Sequence, residues 1–138
     1  MSSMTRVQLA VLLLIVAPFV LGTPALAAGA QCWDLVCMAV PPDGDAAASG
    51  FVKLFKVHGD LPHGYVGDVT VSCQGLTPRA TYLVQVSTGV AGGGMDVPAT
   101  KLGTAQVTFS QLPVQGIMQP SVIVSRAGDN PVTVLRSP

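Results

Sequence analysis

The chain contains no glutamate and a single asparagine, Asn130, in 138 residues. Charged residues make up 10% of it, against about 25% in an average soluble domain. Seven aspartates supply all the acidic charge, and seven lysines and arginines balance them. Each shortage excludes a class. Without a basic surplus the chain cannot replace the counterions of a nucleic-acid backbone, so no nucleic-acid partner is expected. Low charge combined with 49% hydrophobic residues is the reverse of a disordered tail. A helical bundle would carry Glu, Lys and Ala at helical spacing, and that pattern is missing. The length supports one domain.

Part of the hydrophobicity, a mean hydropathy of +0.56, is concentrated at the start. After Arg6, the run from Val7 to Gly22 is almost unbroken apolar, and Thr23-Pro24-Ala25-Leu26-Ala27-Ala28 follows it. A basic start, a short apolar core and a small-residue Ala-x-Ala exit predict a secretory signal peptide over 1–27, cleaved after Ala27. Sixteen residues interrupted by Pro18 fall short of the roughly 20 that span hydrocarbon. Gln31, rather than a small residue, precedes Cys32, which disfavours a lipoprotein. Removal of 1–27 leaves 111 residues with six basic and seven acidic groups and no later membrane-length run. The product is expected to be secreted or extracytoplasmic, with no membrane span.

The rest alternates with period two, the signature of half-buried strands. Val69, Val71 and Cys73 alternate with Asp68, Thr70 and Ser72; Tyr82, Val84 and Val86 alternate with Thr81, Leu83, Gln85 and Ser87. Ala105, Val107 and Phe109 repeat the pattern, and Phe51–Val57, Ser121–Ser125 and Val132–Leu135 add further apolar runs. Turn-forming clusters separate them, at Pro41-Pro42-Asp43-Gly44, Gly59-Asp60-Leu61-Pro62, Gly92-Gly93-Gly94 and Gly128-Asp129-Asn130-Pro131. Six or seven short strands without crossover helices predict an all-β chain, a single antiparallel β-sandwich, immunoglobulin-like in the broad sense. The sandwich is expected over 51–138. It follows a cysteine-bearing segment over 28–50, in which Asp43–Gly50 reads as a linker or long loop.

One motif supports the sandwich. Leu76-x-Pro78-x-x-x-Tyr82-x-Val84-x-Val86 resembles the corner that leads into the penultimate strand of fibronectin type III and related immunoglobulin-like domains. The resemblance covers about 11 residues. It implies that Leu76 and Tyr82 pack into the core, with the tyrosine hydroxyl bonded back to the chain, and that Pro78 fixes the turn. The chain departs from that family in having three strand-like runs after this one, and Val84 stands where the antibody pattern has cysteine.

Cys32, Cys37 and Cys73 all lie beyond the cleavage site, and an oxidising compartment favours at least one disulfide. Three single pairings are open. On an extended strand Cys32 and Cys37 point to opposite faces, roughly 16 Å apart at about 3.3 Å per residue, which is too far for a bridge. Cys37 shares a face with Trp33 and Leu35, and Cys73 shares one with Val69 and Val71, so Cys37–Cys73 is the expected pair, and Cys32–Cys37 the alternative.

His58 and His63 flank a turn containing Asp60. With Asp60 between them, and with Asp68 or Met95 able to join, they could hold a divalent metal, but the spacing matches no established signature and a solvated turn is the simpler reading. Gly89–Gly94 lacks the following helix and Lys-Ser/Thr pair of a phosphate loop and reads as a hairpin connection. Arg126-Ala127-Gly128-Asp129 carries no recognition signal. The aspartates are scattered through turns and no nucleophile elbow occurs, so no catalytic residue, enzymatic activity or cofactor is expected. The leading expectation is a secreted non-catalytic module with a structural or binding role towards a protein or cell-surface partner, by a sheet face or by edge-strand association. The alternative is a small extracytoplasmic metal-binding or redox protein using His58, His63 and a cysteine.

Overall fold

Valine-rich alternation becomes strand throughout residues 30–138, the part of the chain that the computed structural model describes; the expected signal segment 1–27 lies outside the described residues. In chain order the strands are β1 (Gln31–Asp34), β2 (Val36–Cys37), β3 (Ser49–Asp60), β4 (Gly64–Gln74) and β5 (Thr81–Ser87), followed by β6 (Gly92–Pro98), β7 (Ala105–Val114), β8 (Ser121–Arg126) and β9 (Val132–Arg136). They form two sheets, β1-β3-β4-β7 and β2-β9-β8-β5-β6, in which every neighbouring pair is antiparallel. Among the described residues no helix is long and apolar enough to cross a membrane.

Period two sends one set of side chains from each sheet into a common core. Val52 and Leu54 of β3 and Val69, Val71 and Cys73 of β4 are buried on one side. Tyr82, Val84 and Val86 of β5, Val122 and Val124 of β8, and Val134 and Leu135 of β9 are buried on the other. All of them belong to one cluster, so the described residues are all-β, with two antiparallel sheets packed in the manner of a sandwich. β-branched valine suits this geometry because its one favoured rotamer packs well on a pleated surface.

The cysteine-bearing segment over 28–50 is woven into both sheets. β1 pairs with β3 and β2 with β9, so a short stretch of chain spans the two layers. The Gly92-Gly93-Gly94 stretch, expected as a hairpin connection, instead opens the edge strand β6, paired with β5. Glycine allows that strand to lean on the opposite sheet. A Cβ on Gly93 would stand 3.1 Å from the Phe109 ring of β7, closer than an ordinary contact.

Two bulges bend the four-stranded sheet. One lies between Phe55 and His58, where Lys56 has φ 55°; the other lies opposite Gly67–Val69, where Gln111 has φ 55°. The Gln111 amide donates to Asp68 Oδ1 at 2.9 Å. Bulges of this kind increase local twist and interrupt a strand's free edge.

Leu54 is fully buried at the centre of the four-stranded sheet. Leu54→Ala is expected to cost about 2–5 kcal/mol through lost transfer energy and the cavity left behind. Urea unfolding followed by circular dichroism measures this; a loss well below 1 kcal/mol would contradict the placement of Leu54.

Candidate functional site

Two arrangements of polar groups stand out, one inside the fold and one on its surface. The inner one centres on Asp45, a carboxylate with no solvent exposure. Its Oδ1 accepts the Tyr82 hydroxyl at 2.7 Å, the Thr77 amide at 2.8 Å and the Thr77 hydroxyl at 3.0 Å. Its Oδ2 is paired with Arg126 Nη1. The same guanidinium holds Asp43 in a fork, with Nη1 to Oδ1 at 2.9 Å and Nη2 to Oδ2 at 3.1 Å. Asp43 Oδ1 also accepts the Asp45 amide at 2.8 Å, closing a local turn.

Local chain geometry explains why these groups meet. Arg126 lies directly opposite Tyr82 in the β8–β5 register, so the ring and the guanidinium come together at one end of the core. Tyr82 accepts the Thr77 amide at 2.9 Å, the back-bonded hydroxyl implied by the Leu76–Tyr82 motif. Leu76 is buried beside it, whereas Pro78 is exposed in the turn. Gly75 holds φ +71°, and a Cβ there would collide with the Ala47 carbonyl, so the β2–β3 loop passes directly under the corner. Every member of the network comes from a turn or a strand end.

The electrostatics follow from these contacts. Burial alone would raise the Asp45 carboxyl, but hydrogen bonds from Tyr82, Thr77 and Arg126 outweigh it and hold the group below its ordinary value. The Arg126 hydrogen bonds, with the Asp45 amide, lower Asp43 from 3.8 to about 2. Arg126 is correspondingly pushed up by the two carboxylates. Tyr82 is raised, first by burial and then by the Asp45 carboxylate it donates to. The Asp45 carboxylate is fully engaged within the fold and Asp43 and Arg126 are paired with each other, so the cluster works as a structural lock.

The expected Cys37–Cys73 bridge is not formed; Cys32, Cys37 and Cys73 are all free thiols. Cys37 sits in β2 opposite Leu135, and its Sγ turns to the loop, 3.6 Å from the carbonyls of Ala39, Asp45 and Ala46. Cys73 is buried in the other sheet opposite Gly50. Leu135, the neighbour of Cys37 in β9, reaches across to Gly50 and packs its apolar side chain beside Cys73, where a bridge from β2 would have to arrive. Burial pushes the Cys73 thiol up to about 11.

His58 and His63 stay apart in their roles. His58 Nδ1 lies 2.9 Å from the Lys56 carbonyl, and His63 Nδ1 lies 2.7 Å from Asp60 Oδ1, in an exposed turn that also bonds the His63 amide to Asp60. Among the described residues no group of three or more His, Cys or Asp side chains is placed to hold a metal ion.

The outer arrangement lies on the solvent side of the four-stranded sheet. One row crosses all four strands: Asp34 of β1, Phe51 of β3, Ser72 of β4 and Gln106 of β7. Two residues further along, Ser49 faces Gln74, and Gln74 Nε2 donates to Ser49 Oγ at 3.2 Å. Beyond them Thr100 and Thr104 share a hydroxyl hydrogen bond of 2.7 Å. Together with Val97 and Pro98 at the end of β6, these residues line an open cleft of about 880 Å³.

Phe51 occupies an outward position where the alternation calls for a polar residue, and 39% of it is exposed. Phe55 shares its face, but the Lys53 and Lys56 ammonium groups lie 5.1 and 5.9 Å from its ring centroid. Phe51 is thus the open aromatic surface of this face. Among the described residues no lysine, arginine or histidine lines the cleft, and Asp34 is its only carboxylate. A single carboxylate among hydroxyls and amides is equipped for hydrogen bonding rather than for a paired proton transfer. Comparison of the chain with protein-family models, with curated proteins and with solved structures finds no match.

Asp43 and Asp45 both titrate lower in the folded chain than unfolded. Between those values the unfolded chain binds more protons, so this contribution is full above the ordinary value and is lost as pH falls through the folded one. The urea midpoint is expected to drop steeply between about pH 4 and pH 2. Arg126→Gln should flatten that dependence, and an unchanged slope would contradict the network. Asp45→Ala, which removes the acceptor of the buried Tyr82 hydroxyl and of Thr77 while leaving Arg126 paired with Asp43, is expected to cost about 1–3 kcal/mol at pH 7. Iodoacetamide should label exposed Cys32 first and buried Cys73 only on unfolding. A Cys37–Cys73 pair left unlabelled in denaturant without reductant would overturn the free-thiol arrangement.

Proposed function

We propose that the chain is an exported, non-catalytic binding module, immunoglobulin-like in the broad sense, that engages its partner through the outer face of the four-stranded sheet. The observation that carries this reading is the exposed Phe51 ring, set in a row of hydrogen-bonding groups of which Asp34 alone is charged, beside an open cleft. An apolar ring at an outward sheet position contributes nothing to the core, and large rings in open, polar-rimmed surfaces favour contact with a partner. The Leu76–Tyr82 corner, with its hydroxyl returned to the Thr77 amide, supports the immunoglobulin-like assignment. The apolar run and Ala-x-Ala exit before Ala28 support export. The inward-facing Asp43–Asp45–Arg126 cluster favours a scaffolding role for the chain's best-organised charges over a chemical one.

In an exporting host the released protein is expected to begin at Ala28, read by intact mass. The purified protein is expected to sediment with cell-envelope material. Phe51→Ala and Gln106→Ala should abolish that retention, while Ile123→Ala, on the outer face of the other sheet, should leave it intact. Equal retention of all three variants would overturn the face assignment.

A further inference from the structure

We infer that the occupant of this cleft is a neutral saccharide, seated with one sugar face on the Phe51 ring; the inference rests on the reading of this sheet face as the binding surface. Charge narrows the choice first. A cleft with, among the described residues, one carboxylate and no cationic side chain repels phosphate, nucleic acid and acidic polymers and gives them no counter-charge. Lipid is disfavoured by composition, because hydroxyls and amides interrupt the apolar surface throughout and would be left unpaired under an acyl chain.

Hydrogen-bonding chemistry narrows it further. Each hydroxyl of a sugar both donates and accepts. Asp34 only accepts, Gln74 and Gln106 each carry a donor and an acceptor, and Ser72 and Thr104 can do either. The row from Asp34 to Gln106 spans three strand spacings, roughly 14 Å, and its polar groups lie on both sides of Phe51. The ring supplies what the polar groups lack, an apolar plane for the C–H face of a pyranose. Gln74 is held by Ser49 and Thr104 by Thr100, so part of the set is ordered before any ligand arrives. A volume of about 880 Å³ lies within the roughly 300–1,000 Å³ of small-ligand sites, enough for a short run of sugar units.

An extended peptide fits less well. Peptides in β conformation gain affinity by pairing with a sheet edge and specificity from sockets for alternate side chains. This site is a sheet face, whose backbone groups are already paired across all four strands, and it offers one exposed ring in place of a series of sockets.

Affinity electrophoresis of the purified protein tests this, in gels containing laminarin, soluble starch, xylan or mannan, with alginate and gelatin as anionic and polypeptide comparators. At least one neutral polysaccharide is expected to retard the protein, with little change between about 0.05 and 0.5 M salt. Phe51→Ala should weaken that retardation about tenfold, the equivalent of about 1.4 kcal/mol. Gln106→Ala should weaken it as well, and Ile123→Ala should not. Because Phe51 and Gln106 point outward, unchanged thermal unfolding serves as the folding control. Retardation by gelatin alone, lost in Phe51→Ala, would sink the saccharide while keeping the face. No retardation in any gel would overturn the saccharide inference, leaving the envelope assay to judge the face. Neutral-polysaccharide retardation that survives both substitutions would overturn both.

Discussion

The ionised carboxylate of Asp45, removed from water at the end of the core, is the constraint on which the chain's connectivity depends. A buried charge is tolerated only when its lone pairs are filled. Filling them requires the Thr77 amide and hydroxyl, the Tyr82 hydroxyl and the Arg126 guanidinium to arrive together. Asp45 itself lies in the β2–β3 loop, and those groups come from the turn and start of β5 and from the end of β8. Satisfying one carboxylate therefore fixes three segments that hydrophobic burial alone would leave free to shift. Valine packing is non-directional, and many sheet offsets bury similar apolar area. The hydrogen bonds to Asp45 are directional and select one of them.

Legibility in the sequence followed the kind of force involved. β5 was readable because Tyr82, Val84 and Val86 alternate with polar residues, and a one-residue slip would turn all three outward. The corner was readable because Leu76 and Tyr82 keep a fixed spacing that the turn itself imposes. Asp45 was not. It sits among Gly44 and three alanines, a composition that ordinarily marks a solvated loop, and its partner Arg126 is 81 residues away. No local pattern encodes a pairing over that separation. β6 was missed for the opposite reason: Gly92-Gly93-Gly94 has almost no strand propensity, and pairing with β5 together with the Phe109 ring overrides it.

The cysteines show how tertiary packing decides what spacing cannot. Cys37 and Cys73 both face inward from facing sheets, which is what alternation along each strand suggested. What alternation could not supply was the position of Leu135, the cross-strand neighbour of Cys37, beside Gly50 and Cys73. Gly50 lacks a Cβ, and Leu135 takes the room this leaves. Leu135, rather than a second sulfur, is the side chain packed beside Cys73. In the cleft the single sequence signal was Phe51, which breaks its own strand's alternation; its companions Ser72, Gln74 and Gln106 resemble ordinary solvated residues until the register aligns them.

The low charge of the chain takes on a different meaning once the charges are located. Arg126, Asp43 and Asp45 are committed to one another, and Lys53 and Lys56 lie over the Phe55 ring. The outward row from Asp34 to Gln106 is left nearly neutral as a consequence. The same period-two geometry that locks Val52, Val71 and Val107 into the core places Phe51, Ser72 and Gln106 on the opposite side of the same strands. Scaffold and surface thus share backbone but not side chains. A rigid core beneath the cleft fixes the spacing of its polar groups without constraining their identity, which is the condition under which a sheet face can change its ligand while the fold is kept.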